Sequence, residues 1–218
     1  MCIRDRANAA KNGYQGAQYP WESADDGTEQ CPDWTIEPDG TCYRCYVAVY
    51  EHHVTAAVAY GIYNYVRITH DTEFLLHKGA EILIETARFW KSRLQYIKEN
   101  DRYEIHRVTG PDEWHEPVDN NVYTNYLARW NLRYVTALTE MLSREYPQEY
   151  TALVEKLGLT EEEIADWDAV AAKVYLPRKE GTQLLEQFEG YFDLKEAVIE
   201  KYDSNDLSLI HISEPTRP

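Results

Sequence analysis

Basic residues are scarce in this chain: 22 lysines and arginines stand against 38 aspartates and glutamates, a formal net charge of −16. Nucleic acid and anionic membrane surfaces are therefore not expected as partners, because phosphate contacts need clustered cations. Long apolar runs are missing as well, so no stretch is fit to span a bilayer as a helix. Sulfur is sparse, with four cysteines and two methionines. Cys31, Cys42 and Cys45 are an odd number strewn over a Pro/Gly/Asp-rich segment, which is not a disulfide framework. Cys42-x-x-Cys45 with Cys31 and His52 or His53 has some of the ligands of a structural zinc site. Half of the usual paired-knuckle pattern is absent, so no metal is expected and reduced loop thiols are the reading taken. No internal repeat supports a solenoid. What the chain does carry is 44% hydrophobic residues with 18 tyrosines and six tryptophans, ample material for a core and far from the composition of a disordered chain.

The two ends are expected to be foreign to the gene. Met1-Cys-Ile-Arg-Asp-Arg6 is the translation of ATG-TGT-ATA-AGA-GAC-AG, and Leu207-Ser-Leu-Ile-His-Ile-Ser213 that of CTG-TCT-CTT-ATA-CAC-ATC-T. These strings are reverse complements and match the end of a transposase-based sequencing adapter; Ser213-Glu-Pro-Thr-Arg-Pro218 continues through it. Residues 1–6 and 207–218 are therefore set aside as adapter-derived, and residues 7–206 are read as an internal piece of a longer gene. Removing Arg4, Arg6 and Arg217 with Asp5 and Glu214 leaves 19 basic against 36 acidic residues, a net charge of −17.

Along the body, Gly13, Gly16, Pro20, Gly27, Pro32, Pro38 and Gly40 break any long period over residues 7–50, which reads as an irregular, functional loop. Residues 53–69 read as a helix with its apolar stripe at Val54, Ala57, Val58, Gly61, Ile62 and Tyr65. Asp71 is a good N-cap for a second helix to about Tyr96, with Leu76, Ala80, Leu83, Ala87, Trp90 and Leu94 inward. Tyr103 to Val108 alternates like a short strand. Asn121 caps a third long helix, striped by Leu127, Trp130, Tyr134, Val135, Leu138, Met141 and Leu142 and ending before Pro147. Thr160 and Glu163 form a capping box for a fourth, with Ile164, Trp167, Ala171 and Val174 inward. Residues 176–206 return to loop composition. Long helices joined by long loops suggest a toroid of helical hairpins, since a simple bundle uses shorter connections.

Polar chemistry is concentrated in one segment, Gly110-Pro-Asp-Glu-Trp-His-Glu116, a loop entering the helix that Asn121 caps. A carboxylic acid must stay protonated near neutral pH to give a proton to a leaving oxygen, so it needs burial or a neighbouring carboxylate. Glu113 has Asp112 beside it, Glu116 three residues on and Trp114 to exclude water. The same acids would also favour a helix N-terminus without any chemistry, and position alone does not separate the two readings. His115-Glu116-x-x-Asp119 is a weak metal motif: the second histidine is missing and Pro117 prevents helical presentation. Tyr19-Pro-Trp-Glu-Ser23 sets an aromatic plate beside a carboxylate, a pair suited to a pyranose ring, with Trp21 stacking and Glu22 accepting hydroxyl protons. An ordinary turn with a half-buried tryptophan would read the same way. His53-Val-Thr55 at a helix start is explicable as a cap.

Taken together these segments resemble the glycoside hydrolase family 65 phosphorylases, the group that includes maltose, trehalose, kojibiose and nigerose phosphorylases. The resemblance is carried by Gly16-Ala-Gln-Tyr-Pro-Trp-Glu22, His53-Val-Thr55, Glu85-Thr-Ala-Arg-Phe-Trp90 with Arg93, Val108-Thr-Gly-Pro-Asp-Glu-Trp-His-Glu116 with Asp119-Asn-Asn-x-Tyr-Thr-Asn125, and Gln187-Phe-Glu-Gly-Tyr-Phe192. It implies an all-α fold, part of an (α/α)6 catalytic barrel over residues 7–206, with a short strand or hairpin before the catalytic loop. By this resemblance Glu113 corresponds to the general acid, and Trp21, Glu22 and Thr55 to the glucose pocket. The reaction implied is inverting phosphorolysis of an α-linked glucose disaccharide to β-glucose 1-phosphate, with inorganic phosphate as co-substrate and no cofactor. A cytoplasmic location and a homodimer of the full-length protein are implied by the same resemblance. An inverting hydrolase needs a second carboxylate holding a water roughly 6.5–9.5 Å from the acid, whereas a phosphorylase needs a phosphate cradle. The family's Trp-Asp glucose motif lies upstream of this chain and its Lys-Gln pair and serine-rich phosphate loop lie downstream. Trp114 stands where most of the family has tyrosine. An acid-trehalase-like hydrolase and a non-catalytic helical module are the alternatives, and the chain alone is expected to be inactive.

Overall fold

Short polar side chains cap three of the helical runs, Asp71, Asn121 and Thr160, each satisfying a backbone N–H of the first turn. The computed structural model describes residues 2–36, 40–112 and 115–195. Helix α1 (Cys2–Lys11) is followed by a loop to a two-stranded antiparallel hairpin, β1 (Trp34–Ile36) with β2 (Cys42–Arg44), in register Trp34 to Arg44. A short α2 (Val47–Tyr50) leads into α3 (His53–Thr69). Asp71 caps the next helical run, its carboxylate accepting from the Phe74 N–H at 2.9 Å. That run comprises α4 (Thr72–Phe74), a π-helical turn (Leu75–Gly79) and α5 (Ala80–Arg93). A second hairpin, β3 (Gln95–Ile97) with β4 (Arg102–Glu104), precedes the acidic loop.

Asn121 caps α6 (Val122–Glu145) through its side-chain oxygen and the Thr124 N–H at 3.1 Å. Pro147 opens α7 (Pro147–Leu157), where its fixed φ and missing N–H cost nothing. Thr160 caps α8 (Glu161–Ala172), accepting from the Glu163 N–H at 3.1 Å. The reciprocal half of the expected capping box is absent. Glu163 instead takes the Arg88 guanidinium at 2.7 and 2.8 Å, a two-pronged pair that ties α5 to α8.

Helix α6 is the hub of the packing, with α3, α5, α7 and α8 all laid against it. Trp90 and Phe89 of α5, Trp167 of α8 and Leu132, Val135 and Leu142 of α6 are fully or almost fully buried in one continuous core. The α5 stripe lies as the periodicity predicts: Ala80, Leu83, Ala87, Trp90 and Leu94 are buried, with Leu76 at the border. On α6 the buried face is Ala128, Leu132, Val135, Leu138 and Leu142 together with Asn125, Asn131 and Thr139; Leu127, Trp130, Tyr134 and Met141 flank it.

Four expectations need correction. The buried face of α3 is Thr55, Ala56, Ala59 and Ile62, while Gly61 and Tyr65 of the expected stripe are exposed. The bulky residues lose to small ones there because α3 meets both α5 and α6, and alanine lets helix axes approach. Residues 7–50 are not uniformly irregular, since they contain the end of α1, the first hairpin and α2. The second helical run stops at Arg93, three residues before Tyr96, because Gln95–Ile97 leave the helix to pair with β4. Helix α7 was not foreseen: Pro147 reads as a terminator of α6 and is equally the first residue of a new helix.

Candidate active site

The loop that carries Trp21 is fastened to the helices at three points. Gly16 lies flat on α5 with φ +69°, and the next N–H, that of Ala17, donates to the Glu85 carbonyl at 2.9 Å. A Cβ at Gly16 would fall 2.1 Å from that same carbonyl oxygen and 2.5 Å from the Phe89 nitrogen. Tyr19 N–H donates to the Thr55 hydroxyl at 3.1 Å. Thr55 is fully buried near the start of α3, so its hydroxyl holds the strand bearing Trp21.

Beyond Tyr19 one carboxylate organises the turn. The oxygens of Glu29 accept from the main-chain N–H groups of Trp21 at 2.6 Å, Glu22 at 2.9 Å, Cys31 at 3.0 Å and Gln30 at 3.1 Å. Sequence reasoning missed Glu29. Nothing periodic connects it to Trp21, although a carboxylate in a segment rich in turns is a candidate for capping backbone N–H groups. Glu22 itself is exposed and Trp21 is half-buried.

The Trp21 ring meets the His53 ring edge-on, centroids 5.6 Å apart, and His53 meets Tyr123 in the same way at 5.5 Å. His53 is buried and its Nε2 is 3.6 Å from the Glu51 carboxylate. Burial holds its pKa below the ordinary histidine value. The imidazole thereby joins Trp21 to Tyr123 at the start of α6, a role beyond the helix cap that the sequence suggests.

That loop is closed at its base. Val108 and Val118 exchange main-chain hydrogen bonds, 2.9 Å each way, and Thr109 Oγ1 donates to the Glu116 carboxylate at 3.0 Å. Within the loop His115 Nδ1 lies 2.6 Å from an Asp112 oxygen, and the His115 ring packs on Phe188 at 5.0 Å. Gly110 has to be glycine, because a Cβ there would fall 2.3 Å from the Asn121 amide nitrogen. Glu113 and Trp114 lie outside the described residues.

The remaining motif residues are stitching. Asn120 adopts φ +53° and is fully buried. Its amide donates to Glu104 at 3.2 Å and Glu189 at 2.7 Å, and its oxygen accepts from Ile105 N–H and from Asn125, both at 3.1 Å. Val122 N–H donates to the Gln187 carbonyl at 2.9 Å and Glu189 N–H to that of Asp119 at 3.1 Å. The segments around residues 120 and 188 are therefore joined by one polar network at the foot of α6. Among the described residues no group of three or more His, Cys, Asp or Glu side chains is arranged to hold a metal ion. Cys31, Cys42 and Cys45 are free thiols, and burial together with the neighbouring Cys45 pushes the Cys31 thiol up to about 11. No described helix is long and apolar enough to cross a membrane.

His52, next to His53, faces the other way. Its Nδ1 accepts from Arg93 Nε at 3.0 Å and its Nε2 donates to the Val49 carbonyl at 2.9 Å, so the ring is neutral. Burial first and Arg93 second bring its pKa from 6.5 down to about 3. Because the unfolded chain takes up this proton first, the stability conferred is complete above pH 6.5 and erodes as the pH falls towards about 3. Denaturant titrations should show stability falling by up to about 1.4 kcal/mol per pH unit from this one group in that window. His52→Gln should flatten the slope between about pH 4.5 and 6.5, above the range where carboxylates titrate; an unchanged slope would show that His52 is not the group responsible.

A profile of the glycosyl hydrolase family 65 central catalytic domain matches residues 3–213. The chain is 52% identical over 204 residues to a kojibiose phosphorylase of Thermoanaerobacter brockii, covering 94% of this chain and 26% of that protein. It is 35% identical over 206 residues to an alpha,alpha-trehalose phosphorylase of the same organism, covering 94% of this chain and 25% of that protein. Among solved structures, a candidate kojibiose phosphorylase from the human microbiome superposes with a TM-score of 0.78 at 24% identity, over 96% of this chain and 29% of that one. The chain thus spans about a quarter of the length of the curated relatives it matches. The helical hairpins are part of an (α/α)6 barrel, and the chain belongs to glycosyl hydrolase family 65 as a portion of its central catalytic domain.

Proposed function

We propose that the protein containing this chain carries out inverting phosphorolysis of an α-linked glucose disaccharide, with kojibiose as the first substrate to test. The observation that carries the proposal is the gradient of identity. Kojibiose phosphorylases from two thermophilic bacteria match at 52% and 50%, against 35% for the trehalose and nigerose phosphorylases. In this reading Glu113 protonates the glycosidic oxygen as it departs, and phosphate attacks the anomeric carbon from the opposite face to give β-glucose 1-phosphate. Phosphate is already a nucleophile, so no second carboxylate is required of the barrel. The aromatic wall of Trp21, His53 and Tyr123 offers the apolar CH face of a glucose ring a surface to rest on. Glu29 and Thr55 hold Trp21 in that wall through the backbone. Residues 1–6 and 207–218 remain assigned to adapter sequence in this proposal, so the ion pairs of Arg6 with Glu81 and Glu85 have no part in it.

The test is product analysis on the protein made from the complete gene. Incubated with kojibiose and inorganic phosphate, it should give equal amounts of glucose and glucose 1-phosphate, with the phosphate ester in the β configuration by proton NMR. Free glucose alone, at a rate independent of phosphate, would assign the protein to hydrolysis. Turnover of trehalose or nigerose with none of kojibiose would keep the reaction and replace the substrate.

A further inference from the structure

Beside His52 lies a cavity of about 280 Å³, walled by Tyr14, Tyr50, His52, Arg93, His106 and Arg107. Arg93, the last residue of α5, is only 4% exposed. Its Nε donates to His52 Nδ1 and its Nη2 to the carbonyls of His106 and Arg107, and the guanidinium lies over the Tyr14 ring at 5.7 Å. All these partners are uncharged. Among the described residues no carboxylate lies within ion-pair distance of Arg93, and none accepts from its Nη1. A buried cation without a carboxylate in ion-pair contact is costly, and burial pushes its pKa below the ordinary arginine value although Tyr14 and, from farther off, Asp119 act the other way.

A second guanidinium stands at the mouth of the cavity. Arg107 donates to the Tyr50 hydroxyl at 2.6 Å and lies over the Tyr50 ring at 5.4 Å. The acidic groups nearby are already engaged. Asp119 takes the Arg107 N–H at 2.8 Å and approaches His106 at 3.4 Å, while Glu104 is held by Arg102 at 2.6 Å and by His106 at 2.8 Å. Two arginines on one small cavity stand out in a chain of net charge −16. Planar, multidentate guanidinium donors suit the oxygens of phosphate, sulfate or a carboxylate.

We propose that this cavity is an anion-binding site, taking one small oxyanion between the guanidinium groups of Arg93 and Arg107. The bound anion supplies the charge that Arg93 lacks. It also bridges α2, the end of α5 and the strand that leads into the acidic loop, whose Thr109 N–H is tied to the Tyr50 carbonyl at 3.1 Å. The proposal does not depend on the reaction assigned above.

Equilibrium dialysis of the 218-residue chain against labelled phosphate, sulfate and acetate, at constant ionic strength made up with chloride, tests it. We expect saturable binding of about one anion per chain, weakened about tenfold or more in Arg107→Gln and in Arg93→Lys, which keeps the charge and loses the fork. Arg67→Gln, an exposed arginine at the end of α3, should bind as the unaltered chain does. Preference for phosphate and sulfate identifies a tetrahedral ligand, and preference for acetate a carboxylate. Should Arg93→Lys fail to fold, Arg107→Gln at its exposed position carries the test. Absence of saturable binding for all three anions, or unchanged binding in Arg107→Gln, would overturn the assignment.

Discussion

Glu113→Gln in the full-length protein is expected to lower turnover of the disaccharide by roughly 10²–10⁴. Glutamine preserves the shape of the side chain and cannot release a proton to the departing sugar oxygen. The loss should depend on the leaving group. From a glucosyl fluoride the fluoride ion departs without being protonated as phosphate bonds to the anomeric carbon, so this reaction should keep most of its rate in the variant. Equal losses on both donors would remove Glu113 from the acid role and leave it as a charge near a helix end. The surroundings explain why this position can serve. The loop around this position is pinned by the Val108–Val118 pair and by Thr109 with Glu116.

The largest structural effect is expected from Gly16→Ala. A single methyl group would have to occupy space 2.1 Å from the Glu85 carbonyl oxygen, 2.5 Å from the Phe89 nitrogen and 2.6 Å from the Arg88 Cβ. All three belong to the same helix, two of them are backbone, and the helix cannot give way without losing its own hydrogen bonds. The positive φ adds strain of about 1–3 kcal/mol. Overpacking typically contributes another 1–3 kcal/mol, so a loss of about 3 kcal/mol or more in denaturant unfolding is expected. Gly13→Ala provides the comparison: its φ is +82° and nothing lies within 4 Å of the added carbon, so only the conformational strain applies. Equal costs at the two positions would mean that the close approach to α5 is not what Gly16 provides. Because Tyr19 and Trp21 follow directly, Gly16→Ala should also weaken sugar binding in the full-length protein.

Helix starts were legible because a cap is a conversation between residues three apart. Asp71, Asn121 and Thr160 each accept from the N–H three positions on, as their sequences predict. The inward stripe of α5 was legible as well, although α5 is buried beyond its stripe and takes Glu85, Thr86 and Arg93 inward too. The face of α3 was not. Its periodicity marks Val54, Gly61 and Tyr65, yet α5 and α6 press on the side occupied by Thr55, Ala56 and Ala59. Pattern reports which faces are apolar, and only the neighbours decide which of them is covered.

At the site the same division holds. The order and content of the motifs were enough to reach the family and the barrel, because those depend on residue types at fixed spacing. The clamp of Glu29 on the Trp21 turn, the ring contacts from Trp21 through His53 to Tyr123, and the pairing of Asn120 with Glu189 across 69 positions were decided only when the chain closed on itself. Interactions within one helical turn form wherever the sequence is placed, so they can be read from it directly. A hydrogen bond between distant segments exists only after packing has brought them together, and packing is settled by the whole core at once.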